Sequence, residues 1–142
     1  MPSYNFDKLF DVSEANELIP RLEVLIRQLQ ARVTELRNQI AQILEIDPEA
    51  EALQLPEVMA RHPQLRAPSA SLAEAAHAIE SLGCFLKDID LGLVDFPYQS
   101  ESGEVVFLCW QFGEPGVLAW HPIDGGFDQR QALPGSTKPL PN

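Results

Sequence analysis

The hydrophobic positions in the first third of the chain recur at helical spacing. Steps of three or four residues connect Leu18, Leu22, Leu25, Leu29, Val33, Leu36, Ile40 and Ile43 or Leu44. Leu22, Val33 and Leu44 repeat every 11 residues, which indicates a nearly straight apolar stripe rather than a heptad seam. Ser13 is the expected N-cap, and Asp47-Pro48 ends the pattern. The spacing therefore predicts one long helix from about residue 14 to residue 46.

A helix of that length needs another element to cover its stripe. It extends ~48 Å, which exceeds the ~26 Å diameter of a compact domain of this size. A shorter helix from Ser69 or Ser71 to Leu82, ending at Gly83, is expected to pack antiparallel on it. The segment 47–68 contains several prolines and is expected to be a loop with at most one short turn. The stripe therefore predicts a homodimer formed through the first helix, unless this loop or a sheet covers it.

The hydrophobic period changes after residue 83. Strands are expected over 91–98, 104–112 and 117–121, while 84–88 is either a further strand or the end of the second helix. These strands predict a three- to four-stranded antiparallel β-meander followed by an irregular tail. The expected fold class is α+β, in one domain over 1–133 with a helical part 12–83, a β part 84–122 and a docking tail 123–133. Residues 134–142 are expected to be disordered.

Charge and hydropathy exclude several classes of function. The 142 residues include 21 acidic and 10 basic ones, and residues 67–142 contain only the cations Lys87, Arg130 and Lys138. Binding of nucleic acid needs several Lys or Arg facing phosphates, so nucleic acid is not an expected partner, and the same holds for anionic membranes. No run approaches the ~18 apolar residues of a membrane span, and the N-terminus lacks a signal-peptide pattern. We expect a cytoplasmic protein in which Cys84 and Cys109 are buried free thiols.

Alternation along the predicted strands brings a few polar residues to a common face of the sheet. If both turns of the meander hold an even number of residues, Asp95, Trp110 and His121 share a face; an odd second turn replaces His121 by Trp120. In the even register, Asp95 and His121 lie ~9–10 Å apart, too far for a direct hydrogen bond. They would then hold a ligand between them over the Trp110 ring. Because both faces are mostly apolar, the helices should cover one face, and the tail, a partner or a ligand the other.

Other candidate chemistry has less support from the sequence. Asp88-Ile89-Asp90, Asp95 and Glu114 offer carboxylates for a hard cation, but nothing in their spacing makes them converge. Cys109 and His121 are the residue types of a nucleophile and a base, yet a thiol inside the apolar run Val-Phe-Leu-Cys-Trp is expected to be inert. Known motifs for nucleotides, zinc and hydrolase nucleophiles are absent from the sequence. We therefore predict no cofactor and no metal, and assign no catalytic residue.

Six short motifs form a recognisable set along the chain. They are Val12-Ser13-Glu14-Ala15-Asn16 with Leu18 and Pro20, Leu86-Lys87-Asp88, Gly92-Leu93-Val94-Asp95-Phe96-Pro97, Leu108-Cys109-Trp110 with Gly113-Glu114-Pro115, Trp120-His121, and Gly126-Phe127 with Arg130. Over about residues 12–133 the chain resembles an uncharacterised prokaryotic family, domain of unknown function 2203. The resemblance implies no activity. It does place six candidate ligand-binding residues in one motif-bearing block: Lys87, Asp95, Trp110, Glu114, His121 and Arg130.

Two functional hypotheses follow from these patterns. The first is a non-catalytic homodimeric interaction module, with the helices for assembly and a covered sheet face that docks a partner or the tail. The second is a small-molecule-binding domain or enzyme, with or without a metal ion, in which Asp95, His121 and Arg130 converge over Trp110. Arg130 would then be the sole cation that holds an anionic ligand. The two hypotheses differ in whether the three polar side chains share one concave pocket.

Overall fold

The long first helix begins with a reciprocal cap. A computed structural model describes residues 6–134, in which α1 spans Val12–Ile46. The Glu14 N–H donates to Asp11 Oδ1 at 2.7 Å, and the Asp11 N–H donates to Glu14 Oε1 at 3.2 Å. Ser13 was expected to be the N-cap, but Asp11 takes that position because it has a glutamate three residues later, as a capping box requires.

The segment between the two long helices is mostly helical, and its prediction as a loop is wrong. It contains the 3₁₀ helices Pro48–Ala52 and Pro63–Leu65 and, between them, the short helix α2, Leu55–Arg61. α3, Arg66–Glu80, follows directly. Each of the three short elements has a proline in its first turn, where the missing N–H donor costs no hydrogen bond. Prolines that suggest a loop in the sequence therefore start helices here.

The apolar stripe of α1 is covered within the single chain, where Leu22, Leu29, Val33, Leu36 and Ile43 are buried and Leu18, Leu25, Ile40 and Leu44 are half-buried. Its core residues are at most 8% exposed: Ala15, Ile19, Leu22, Ile26, Leu29, Val33, Leu36 and Ile43. The part up to Val33 belongs to the main core, which α3 and the sheet complete. The remainder forms a second core with residues of the short helices, which consists of Leu36, Ile43, Ala50, Val58 and Leu65. The expectation of an uncovered stripe is wrong, because the segment 48–65 folds back along α1.

The second half of the chain forms an antiparallel sheet whose strands follow one another in sequence order. The strands are β1 Phe85–Asp88, β2 Leu93–Gln99, β3 Val105–Gln111, β4 Ala119–His121 and β5 Gln131–Ala132. Residues 85–88 are thus a strand, and the tail, expected to be irregular, adds a fifth strand next to β4. It also contains the 3₁₀ helix Phe127–Gln129. A three- to four-stranded meander is therefore corrected to five strands.

The two faces of the sheet have different covers. One face packs against α1 and α3 through Val94, Phe96, Leu108 and Trp110. The other, which we call the outer face, carries Phe85, Lys87, Leu93, Asp95, Phe107, Cys109 and His121. Phe6 lies over it, with its ring 5.7 Å from the rings of both Phe85 and Phe107. The outer face is thus partly covered by the start of the described chain.

The expectations of no membrane-spanning segment and of a disordered C-terminal tail are compared with the described residues. None of the helices within residues 6–134 is both long and apolar enough to cross a bilayer. Residues 135–142 lie outside the described part of the chain, and with them lies nearly all of the predicted disordered tail 134–142.

Candidate functional site

The strand register brings Asp95 and His121 to the same face of the sheet. Asp95 is paired with Cys109, and His121 with Phe107, so all four side chains lie on the outer face. Trp110 is paired with Val94 and lies in the core against the helices. The predicted sharing of a face between Asp95 and Trp110 is therefore wrong.

Asp95 and His121 are in direct contact. Asp95 Oδ2 lies 3.0 Å from His121 Nε2, and both residues are only 3% exposed. The expected separation of ~9–10 Å describes the strand axes. The side chains of Asp95 and His121 bridge this separation across β3, next to the Cys109 sulfur.

Hydrogen bonding determines the charge of the histidine. His121 Nδ1 donates to the Pro122 carbonyl oxygen at 2.8 Å, since a carbonyl can only accept. Burial alone would lower the pKa of His121, but its hydrogen bonds to Asp95, Cys109 and Pro122 raise the pKa from 6.5 to about 10. At neutral pH the two residues therefore form an imidazolium–carboxylate pair without net charge.

A cavity of about 120 Å³ adjoins this pair on the outer face. Its lining comes from four strands and from the segment after β4, and consists of Lys87, Leu93, Asp95, Phe107, Cys109, His121, Ile123, Gly125, Gly126 and Phe127. Lys87 is exposed, and its Nζ lies 4.9 Å from the centre of the Phe107 ring. Three of the six predicted site residues, Lys87, Asp95 and His121, thus line one cavity.

Cys109 is a further member of this cavity that the sequence analysis did not include in the site. A carboxylate oxygen of Asp95, the Cys109 sulfur and a ring nitrogen of His121 all lie within 4.8 Å of one another. The cysteine is 1% exposed and not in a disulfide. The alternation of side chains along β2 and β3 could have indicated Cys109, because it places Cys109 next to Asp95 when the turn between these strands has an odd number of residues. The sequence does not fix that number.

The other three predicted residues form a separate polar cluster at the end of β3. Arg130 Nη1 donates to Glu114 Oε1 at 3.0 Å, and the two side chains are 5% and 7% exposed. Trp110 Nε1 donates to the Glu114 carbonyl oxygen at 3.1 Å. Arg130 was expected to meet Asp95 and His121 over Trp110. That expectation is wrong, because the guanidinium is held by Glu114 and lies against the Phe127 ring, 4.2 Å from its centre.

The carboxylates considered for a hard cation do not converge. Asp88 Oδ1 accepts a hydrogen bond from the Leu91 N–H at 2.9 Å, and Asp90 forms an exposed ion pair with Arg37 at 3.2 Å. Among residues 6–134, the group of side chains that could hold a metal ion does not include Asp88, Asp90 or Glu114.

One comparison with known proteins identifies a family for this chain. A family model described as Uncharacterized conserved protein (DUF2203) matches residues 8–133. The chain therefore belongs to this family, as its motifs indicated. Neither a curated protein nor a solved structure matches the chain.

Proposed function

We propose that this member of the DUF2203 family is a small-molecule-binding domain whose ligand is a small anion, or the anionic group of a larger molecule. The single observation that carries the proposal is the convergence of Lys87, Asp95 and His121, from three different strands, on one cavity of about 120 Å³. Fold stability alone does not require three ionisable side chains to meet at a cavity.

The charge of the cavity favours an anion. Asp95 and His121 neutralise each other, so Lys87 gives the cavity its net positive charge. No ion pair among residues 6–134 involves Lys87, whose ammonium lies only beside the Phe85 and Phe107 rings. A charge-assisted hydrogen bond to an ammonium is roughly twice as strong as a neutral one. Lys87 thus takes the role that the sequence analysis gave to Arg130.

The size of the cavity restricts what it can hold. A volume of about 120 Å³ corresponds to roughly four water molecules at ~30 Å³ each. Drug-sized ligands occupy pockets of about 300–1,000 Å³. The cavity therefore suits a phosphate, a carboxylate or a similar group, with any larger remainder of the ligand lying outside it beyond the exposed Lys87.

The alternative of a homodimeric assembly module was favoured by an apolar stripe on α1 that was expected to be uncovered, and the structure does not show such a stripe. The stripe of α1 was expected to need a second copy, whereas the segment 48–65 of the same chain packs on its second half. A homodimer formed through the first helix stays a prediction, which light scattering tests by the mass of the particle in solution.

The proposal is tested by titrating inorganic phosphate and acetate into the full-length protein, with backbone amide NMR shifts as the readout. We expect saturable shifts confined to the parts of β1, β2, β3 and β4 that line the cavity and to the segment 123–127. Lys87→Met should weaken binding by about 10-fold or more, since a hydrogen bond to a charged group contributes about 1.5–3 kcal/mol.

Lys8→Met is the matched control. Lys8 Nζ also lies 4.9 Å from a phenylalanine ring centre, that of Phe10, but it is paired with Glu14 away from the cavity. Its replacement should leave anion binding unchanged. The absence of saturable shifts with both anions, or an equal loss in the two lysine variants, would overturn the proposal.

A further inference from the structure

We propose that Asp95, Cys109 and His121 together bind one divalent transition-metal ion, for which zinc is the best fit. The inference deepens the proposed function and rests on it in one respect, because the anion would be the ligand that completes the coordination of the metal. The sequence alone predicts no metal site. The geometry of the outer face is what changes that expectation.

The histidine is oriented as a metal ligand. Its Nδ1–H donates to the Pro122 carbonyl at 2.8 Å, which leaves Nε2 as the only ring nitrogen available for coordination. Metal-binding histidines almost always donate their other ring N–H to a carbonyl or a carboxylate, which fixes the ring. Nε2 points at Asp95 Oδ2, 3.0 Å away, and thus towards the same point as the carboxylate.

The same hydrogen bond argues against a nucleophile–base arrangement of these residues. Such a triad uses one ring nitrogen for the carboxylate and the other for the nucleophile. Here the Pro122 carbonyl occupies Nδ1, so Asp95 and Cys109 would have to share Nε2, the one remaining ring nitrogen. A metal ion resolves this, since carboxylate, thiolate and Nε2 can all bind it at one point. The three ligand atoms already lie within 4.8 Å of one another.

The set of donor atoms selects the class of ion. One thiolate, one imidazole and one carboxylate form a mixed sulfur, nitrogen and oxygen set, which suits zinc-like divalent ions. Magnesium and calcium prefer oxygen ligands alone. Zinc sites with three protein ligands keep a fourth position open for water or substrate. The adjoining cavity of about 120 Å³ is where that fourth ligand would lie, near Lys87.

The ligand set matches the charge of a divalent ion. A divalent cation bound by one carboxylate, one thiolate and one neutral imidazole has no net charge, and any protons that these ligand atoms held pass to the solvent on binding. Uncompensated charge, which is costly at residues only 1–3% exposed, is thereby avoided.

The test is a titration of the full-length, chelator-treated protein with Co²⁺, followed by absorption spectroscopy and without any added anion. We expect one ion per chain and a sulfur-to-cobalt charge-transfer band. Cys109→Ser should abolish the band. Cys84→Ser is the matched control, because Cys84 is equally buried at 1% exposure. It lies in the main core, away from the outer face, and its thiol donates to the Ile79 carbonyl oxygen. This variant should keep the band.

A second measurement uses the unchanged chain and so does not depend on the folding of a variant. Ring nitrogen NMR signals of the three histidines are followed during addition of Zn²⁺. Only His121 Nε2 should shift, while His62, which is paired with Asp47, and His77 should not. An unshifted His121, a charge-transfer band that survives in Cys109→Ser, or no band in the unchanged protein would overturn the inference. Phosphate binding without metal binding removes only this inference, and metal binding without anion binding removes only the proposed function.

Discussion

Leu65→Ala tests whether the segment 48–65 really covers the second half of α1. Leu65 is 0% exposed and belongs to the second core together with Leu36 and Ile43 of α1. Truncation of a fully buried leucine costs about 2–5 kcal/mol, with the larger values where the surroundings cannot close the cavity. Because this second core has only five buried members, we expect a loss of about 3 kcal/mol in the free energy of unfolding.

Urea unfolding followed by circular dichroism measures this loss, with Leu55→Ala as the control in the same segment. Leu55 is 43% exposed, so its truncation should cost less than about 1 kcal/mol. Unfolding of both variants should not depend on protein concentration, because an intramolecular cover involves no association. Equal losses for the two leucines, or a loss for Leu65→Ala that disappears at higher protein concentration, would refute the intramolecular cover and restore the case for a second copy.

The two buried ion pairs give the remaining predictions. In chelator-treated protein, the stability from the Asp95–His121 pair is fully present below pH 6.5 and is lost as the pH rises towards the raised pKa of His121, about 10. Asp95→Asn should flatten this dependence in urea unfolding across that range, and an unchanged slope would contradict the assigned charge state. Arg130→Met should cost about 3–5 kcal/mol by leaving the buried Glu114 carboxylate without its cation. Arg37→Met, at an exposed pair, should cost about 0–1 kcal/mol; equal losses would argue against the burial reasoning.

The parts of the fold that could be predicted from the sequence are those with a long repeating pattern. The apolar stripe gives α1 almost to its ends, because many positions at one spacing agree on the same helix. The segment 47–68 has no such pattern, and its prolines have two opposite meanings: they break a helix from within and start one from its first turn. β5 has only two residues and exists because β4 offers it an unpaired edge. No local sequence signal specifies such a strand.

The candidate site depended on the number of residues in two turns, which composition does not fix. The connection between β2 and β3 covers residues 100–104 and that between β3 and β4 covers 112–118, so both are odd. An odd first turn exchanges Trp110 for Cys109 on the face of Asp95, and an odd second turn keeps His121 on that face. Asp95 and His121 therefore share a face both in the expected even register and in the observed odd one. The residue of β3 on that face is Cys109 instead of the expected Trp110. That single exchange makes coordination chemistry possible at this position.

The six residues selected by the family resemblance fall into two clusters that meet at Phe127. Lys87, Asp95 and His121 line the cavity, while Trp110, Glu114 and Arg130 are joined by hydrogen bonds outside its lining. Phe127 is part of the cavity wall, and Arg130 lies against its ring while being held by Glu114. The cluster of Glu114 and Arg130 therefore holds in place Phe127, which forms part of the cavity wall. We infer that Glu114 and Arg130 are positioning residues, whose replacement should affect the ligand only by moving Phe127.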